Sequence, residues 1–179
     1  MSTSKAGNHL VCGGELDAGI VHVASADDHE LTDSEISEGP DYSTTYPPHC
    51  LRGTRGARKI PETEQDDPVP ITLEPLPEHY LRGREFLLLK KSFDVFTNPN
   101  TDRLLEHLNP DEIVVFGVAT DVCDDAAIRG FLERGRKVSF VEDAARGLDD
   151  GRVATCTSAW RDAGVEFTTA DQVISRLRG

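Results

Sequence analysis

The sequence predicts an α/β protein, a mainly parallel sheet covered by helices on both faces. Three observations carry that reading. Short apolar runs rich in β-branched residues alternate along the chain with segments of helical spacing, the order that parallel strands and their crossovers produce. One stretch, Ile113-Val-Val-Phe-Gly-Val-Ala-Thr-Asp-Val-Cys123 followed by residues 124–135, reads as a strand, a tight turn and a helix. The length of 179 residues and the 37% hydrophobic content suit a single domain, 1–179, with a sizeable core.

The elements follow in order. Residues 1–9 are polar and read as loose, and Leu10-Val-Cys-Gly-Gly14 is too short to assign. Residues 15–19 resemble the end of a helix stopped by Gly19. Residues 20–25 are a strand, and Asp27, Asp28 and His29 stand at its carboxyl end. Residues 30–80 hold most of the prolines and no sustained period, so they read as one long excursion over the top of the sheet, with a short helix near 32–37. A loop of that length in a compact domain is usually functional or disordered. Residues 85–90 form the next strand, with Lys90 and Lys91 at its end. A helix at 102–108 can be capped by Asn100 or Thr101. After the central strand, turn and helix, a strand at 137–141 leads to a helix at 150–163 bearing Val153, Cys156 and Trp160 and closed by Gly164. A strand at 165–168 and a helix at 170–177 complete the pattern.

Composition excludes some partners. The formal charge of −13 argues against nucleic acid and against an anionic membrane. Cys12, Cys50, Cys123 and Cys156 show no CxxC spacing, which fits free thiols in a reducing compartment and a cytoplasmic protein. The N-terminus has no apolar signal-like segment, and no run approaches the roughly 18 apolar residues of a membrane span.

Three groups of residues could carry chemistry. Cys123 lies in the first helical turn beyond the carboxyl end of a strand, where ligands bind in open α/β sheets. Unpaired N–H groups and the helix dipole bias a thiol there toward thiolate, and Asp121, Asp124 and Asp125 oppose that bias. Asp27 and His29, two positions apart, together with His49, would suit zinc, manganese or iron with open positions for water; otherwise the histidines are ordinary loop residues. Lys90 or Lys91, at the same sheet edge as Cys123, could hold a nearby carboxylate ionised, or could simply be solvated.

Four blocks in order resemble the isochorismatase-like cysteine hydrolases, and among them the nicotinamidase branch. Ser25-Ala-Asp-Asp-His29 resembles the family's Asp-x-His metal pair, and Tyr46-Pro-Pro-His-Cys-Leu-Arg-Gly-Thr-Arg-Gly-Ala57 resembles the segment carrying the third ligand, here His49. Lys90-Lys-Ser-Phe-Asp-Val-Phe96 resembles the catalytic-lysine block and selects Lys90; Gly117-Val-Ala-Thr-Asp-Val-Cys123 resembles the nucleophile loop. The resemblance implies a three-layer α/β/α sandwich and a triad of Asp, Lys and Cys, with Cys123 as nucleophile. It implies a cis peptide at Val118–Ala119, an oxyanion hole from the N–H groups of Ala119 and Cys123, and a divalent metal on Asp27, His29 and His49, zinc first. Tyr46, Phe93 and Val118 then fall at the substrate, a small amide such as nicotinamide. Family members often assemble, so a homo-oligomer is expected.

The chain also departs from the family. About nineteen residues precede Ile20 and contain no strand ending in the triad Asp, so the first and central strand is read as missing, with residues 1–18 an atypical or truncated N-terminus. A truncated gene model is the expected cause, and turnover by this chain is expected to be weak. The rival readings are a hydrolase of the same fold acting on a vinyl ether or an N-carbamoyl compound, and a catalytically impaired relic. Asp28, where nicotinamidases commonly carry Trp, weakens the nicotinamide assignment.

Overall fold

The computed structural model describes residues 9–11, as backbone, and residues 20–178. The helix end expected at 15–19 lies outside the described residues. In chain order the elements are β1 (His9–Val11), β2 (Val21–Asp27), β3 (Val69–Ile71), β4 (Glu85–Lys90), α1 (Thr101–Leu108), β5 (Glu112–Val118), α2 (Asp125–Glu133), β6 (Val138–Arg146), α3 (Asp150–Asp162), β7 (Glu166–Thr168) and α4 (Ala170–Arg178). Every strand pairing among the described residues is parallel, as expected from the alternation of strands and helices. The chain forms two compact units, one of residues 22–107 and one of residues 108–179 with the N-terminal residues to Val21. No described helix is long and apolar enough to cross a membrane.

In the unit 22–107, β4 pairs with β2 on one side and β3 on the other. Strand β4 alternates half-buried and buried positions, the period of a strand with one face in the core. Phe86 and Leu88 fill that core with Ala24, Ile71, Leu76 and Leu81. Asn98, 1% exposed, ties β3 and β4 to the turn that enters α1. Its side-chain amide donates to the carbonyls of Ile71 at 3.0 Å and Leu89 at 2.7 Å, while its oxygen accepts from Asn100 N at 2.8 Å. Two expectations are corrected here. The excursion 30–80 contains β3, whose Pro70 is tolerated because the strand has a partner on one side only among the described residues. No helix forms at 32–37; Asp33 instead accepts from Glu30 N at 2.8 Å, closing a turn, and Ile36 bridges to Tyr46.

In the other unit, β5 lies between β1 and β6, and β6 pairs onward with β7. The described part of the N-terminus contributes three residues to this sheet, paired His9 with Glu112, Leu10 with Ile113 and Val11 with Val114. Ile113, Val114, Val138, Phe140 and Val141 are buried, as the unbroken apolar runs predict for strands covered on both faces. Trp160 on α3 packs its ring 5.0 Å from that of Phe140 and donates its indole N–H to Asp125 at 2.8 Å. Helix α3 begins where the Asp149 carboxylate accepts from Arg152 N at 2.8 Å.

Candidate metal centre and nucleophile turn

In the unit 22–107, β2 delivers Asp27 at its end, and the chain runs through Asp28 to His29. His29 then bridges Leu51: its N–H donates to Cys50 O at 3.2 Å and its carbonyl accepts from Arg52 N at 2.8 Å. The bridge from Ile36 to Tyr46 folds the intervening loop back, with Tyr46 N donating to Glu35 O at 2.8 Å. These two pairings bring together His29, Glu35 and His49, whose donor atoms all lie within 4.8 Å of one another.

Hydrogen bonds set the state of both rings. His29 is fully buried, and its Nδ1 lies 3.3 Å from the Asp33 carboxylate, which can only accept. Burial works against ionisation of Asp33, but donors from Glu30 N, Lys91 and His29 outweigh it and hold the carboxyl below its ordinary range. His29 Nδ1 therefore carries a hydrogen, which in the neutral ring leaves Nε2 as the lone-pair nitrogen. His49 Nδ1 lies 2.8 Å from the Pro47 carbonyl, also only an acceptor, so in the neutral ring its Nε2 is likewise the lone-pair nitrogen. Both Nε2 atoms lie 3.6 Å from the same oxygen, Glu35 Oε1. The other oxygen of Glu35, a residue only 4% exposed, accepts from Phe93 N at 2.6 Å. Buried and facing this group, His29 Nε2 has no hydrogen-bond partner.

Asp27 stands at the edge of the cluster, Oδ1 4.0 Å from His29 Nε2. It also groups with His49 and Cys50. Asp27 and Lys90 are opposed in the β2–β4 register, and the buried Lys90 ammonium donates to Asp27 Oδ1 and, at 3.1 Å, to Ser92 O. The family resemblance pairs Lys90 with an aspartate preceding Ile20; among the described residues Lys90 pairs with Asp27. Burial pushes the Cys50 thiol up, and Asp27 adds to that. Tyr46 sets its ring edge-on to His49, centroids 6.1 Å apart. Arg52 grips Asp28 at 2.8 and 2.5 Å and holds its carboxyl below the usual range.

In the other unit, the Val118–Ala119 peptide is cis, as the resemblance implied. Val118 is 72% exposed. A π-helical turn, Thr120–Asp124, comes next, with the Ala119 carbonyl accepting from Val122 N at 3.0 Å and Asp124 N at 3.1 Å. Cys123 is half-buried in this turn, just ahead of α2. Two of the three carboxylates expected to oppose its ionisation are engaged elsewhere. Asp121 accepts from Leu148 N at 2.7 Å and Asp149 N at 3.2 Å and pairs with Arg152 at 3.0 Å. Asp125 pairs with Arg129 at 2.8 Å and accepts from Trp160.

The expected residues thus gather as two sets, Asp27, His29, Tyr46, His49, Lys90 and Phe93 in one unit and Val118, Ala119 and Cys123 in the other. Sequence reasoning missed Glu35 and Asp33. No spacing rule marks them, because loop bridges place them; a buried Glu in an acidic loop is recognisable only from coordinates.

A model of the isochorismatase domain matches residues 15–172. The chain belongs to the isochorismatase family. Over 147 residues this isochorismatase-family chain is 27% identical to the nicotinamidase/pyrazinamidase of Mycobacterium tuberculosis, spanning 81% of this chain and 74% of that protein. Among solved structures it superimposes on the Acinetobacter baumanii nicotinamidase/pyrazinamidase with a TM-score of 0.68, at 19% identity, covering 86% of this chain and 79% of the other. The Pyrococcus horikoshii pyrazinamidase in complex with zinc gives a TM-score of 0.62 at 19% identity, covering 84% and 76%.

A divalent ion fits the residues present in this family member. Donors about 2.1 Å from a tetrahedral ion stand about 3.4 Å apart. The 3.6 Å separations from Glu35 Oε1 to both imidazoles match that spacing, and the unpartnered His29 nitrogen is the buried group an ion would satisfy.

Proposed function

We propose that this chain is a cysteine hydrolase of the nicotinamidase type, converting nicotinamide and water to nicotinate and ammonia with a divalent metal, zinc in the first instance. Cys123 is the nucleophile: its sulfur bonds the carboxamide carbon, and the C–N bond breaks as the nitrogen takes a proton and leaves as ammonia. Water then cleaves the thioester and restores the thiol. The N–H groups of Ala119 and Cys123 receive the oxyanion. His29 and His49, with a carboxylate of their pocket, hold the metal, which when bound supplies Lewis-acid binding of a substrate ring nitrogen. Tyr46, Phe93 and Val118 line the substrate. Lys90 keeps a carboxylate ionised. Among the described residues the family's acid–base Asp has no counterpart in this reading, and lacking such a group typically costs about 10²–10⁴-fold, so the expected rate is low.

The observation that carries the reading is the buried His29 Nε2, without a hydrogen-bond partner and aimed at Glu35 and His49, in a chain similar to a nicotinamidase. The test is nicotinate formation over long incubation, read by mass spectrometry with zinc, manganese or iron added. The expected result is slow formation by the wild type that Cys123→Ala removes. Equal traces from both proteins would refute the assignment. A second reading, an N-carbamoyl or other non-aromatic substrate, is favoured by Asp28: Arg52 binds it through both oxygens, so the position offers an ion pair in place of an aromatic wall.

A further inference from the structure

At the amino end of β2, the end opposite Asp27, one buried ring nitrogen stands between two claims. His22 is 4% exposed. Its Nδ1 lies 3.3 Å from the side-chain nitrogen of Gln65 and 3.5 Å from Oε1 of Glu85 on β4. The same Gln65 nitrogen donates to the Phe86 carbonyl at 3.2 Å, an atom that can only accept. This orients the amide: the atom facing His22 is an N–H donor, so Nδ1 accepts and, in the neutral ring, the hydrogen sits on Nε2. That state sets a lone pair against the Glu85 carboxylate. A proton on Nδ1 reverses both relations, since the new N–H donates to Glu85 and confronts the Gln65 N–H with another donor. Turning the amide over does not repair this, because its oxygen would then face the Phe86 carbonyl. The Gln65 oxygen is itself buried with no hydrogen-bond partner among the described residues. Of the described residues between 59 and 68, Gln65 alone is buried, and Ile60 is 61% exposed. A polar contact, with no apolar anchor, thus fastens this segment to β4 ahead of β3, and regions held so sparely open locally at low cost.

We propose that His22 is an acid-sensitive latch for the segment 59–68. With Nδ1 bare it holds Gln65, and the segment closes on β4; with Nδ1 protonated it turns to Glu85, and Gln65 is released. Among the described residues the charged groups acting on the ring are Glu85 from β4, which favours the imidazolium, and Lys59 from the segment, which opposes it. Burial is the largest influence and holds the imidazole below its ordinary value of about 6.5. A lowered folded value means that the closed state's contribution is complete above the unfolded value and is lost as pH falls through the folded one. Opening also relieves the burial that disfavours the charge, so protonation and release favour each other. None of these residues has a part in the catalytic reading proposed above, and the latch stands or falls independently of it.

Two measurements on the full chain test the latch. Nitrogen NMR of the His22 ring near neutrality is expected to show the hydrogen on Nε2 and none on Nδ1. Amide exchange over residues 59–68, read by mass spectrometry and corrected for the intrinsic pH dependence of exchange, follows the segment itself. Wild type is expected to lose protection there by about tenfold between about pH 7.5 and about pH 5. His22→Asn, whose Oδ1 replaces Nδ1 as an acceptor that does not titrate, should stay protected across that range. Gln65→Ala should lack the protection at both ends. Glu85→Gln removes the partner of the protonated ring and should move the step to lower pH by about half a pH unit or more, a displacement that a purely structural role would not produce. Circular dichroism establishes that each variant is folded; should His22→Asn fail to fold, the other two variants decide. A hydrogen on Nδ1 near neutrality would overturn the proposal, as would a wild-type segment with no step. A step that persists unchanged in His22→Asn or Gln65→Ala, or one that Glu85→Gln leaves in place, would overturn it equally.

Discussion

Replacing Asp121 with alanine tests what holds the Cys123 turn in shape. The Asp121 side chain is fully buried and accepts from Leu148 N at 2.7 Å and Asp149 N at 3.2 Å, while pairing with Arg152 at 3.0 Å. Bonds from backbone N–H groups to a buried carboxylate contribute about 1.5 kcal/mol each at the low end of the charged range. Arg152 is 42% exposed, so its ion pair adds less than about 1 kcal/mol after screening. Asp121→Ala is therefore expected to cost about 3–4 kcal/mol, and Asp121→Asn, which keeps one oxygen acceptor, about half of that. For a chain of this length each kcal/mol moves Tm by about 2–4 °C, giving a fall of about 10 °C for the alanine variant. Gly147 gives an independent check. A Cβ there would stand 2.1 Å from a Val153 methyl and 2.9 Å from the same Asp121 carboxylate, so Gly147→Ala should displace the same loop and lower Tm in the same direction. Thermal unfolding followed by circular dichroism decides the matter. If Asp121→Ala melted within about 2 °C of wild type, the loop would not depend on these bonds and the account would be wrong.

Other outcomes follow from neighbouring contacts. Asn98→Ala should cost about 2–4 kcal/mol by denaturant unfolding, because it orphans the carbonyls of Ile71 and Leu89 and the N–H of Asn100 in a buried setting; a loss below about 1 kcal/mol would contradict that. The Asp28 carboxyl is held below its usual range by Arg52, so its contribution is fully present above the unfolded carboxylate pKa of about 3.9 and is lost as pH falls through the lower folded value. Arg52→Ala should accordingly be less stable than wild type near neutrality and converge with it in acid, and a gap that stayed constant to low pH would exclude this origin. Burial pushes the Cys156 thiol up, so at pH 7.5 iodoacetamide followed by peptide mass mapping should label half-buried Cys123 well before Cys156, and the reverse order would overturn the ranking.

How much of this was legible depends on whether the signal was local. The β4 run Glu85-Phe-Leu-Leu-Leu-Lys90 and the β5 run announce themselves by composition, and the structure buries them as that composition requires. Helix α3 could be read from its spacing, with Trp160 inward at 1% exposure. Strand β3 could not, since three residues with a central proline look like loop until β4 is found beside them. Strand β6 continues to Arg146, beyond the expected end, because its second half is exposed and has no apolar pattern. Asp27, His29 and His49 could be named from the sequence because short motifs carry them. Glu35 escaped because its position is fixed by the bridges His29–Leu51 and Ile36–Tyr46, pairings that a linear reading does not contain.

The bridges have a thermodynamic corollary. His29, Glu35 and His49 fall between positions 29 and 49, so an ion held by the proposed metal centre would close only a short loop, which entropy penalises modestly. An unfolded chain with two imidazoles and a carboxylate that close together would keep some hold on zinc. Saturating metal should then raise the melting midpoint by less than the native dissociation constant alone implies, and the shortfall measures how tightly the denatured ensemble itself grips the ion.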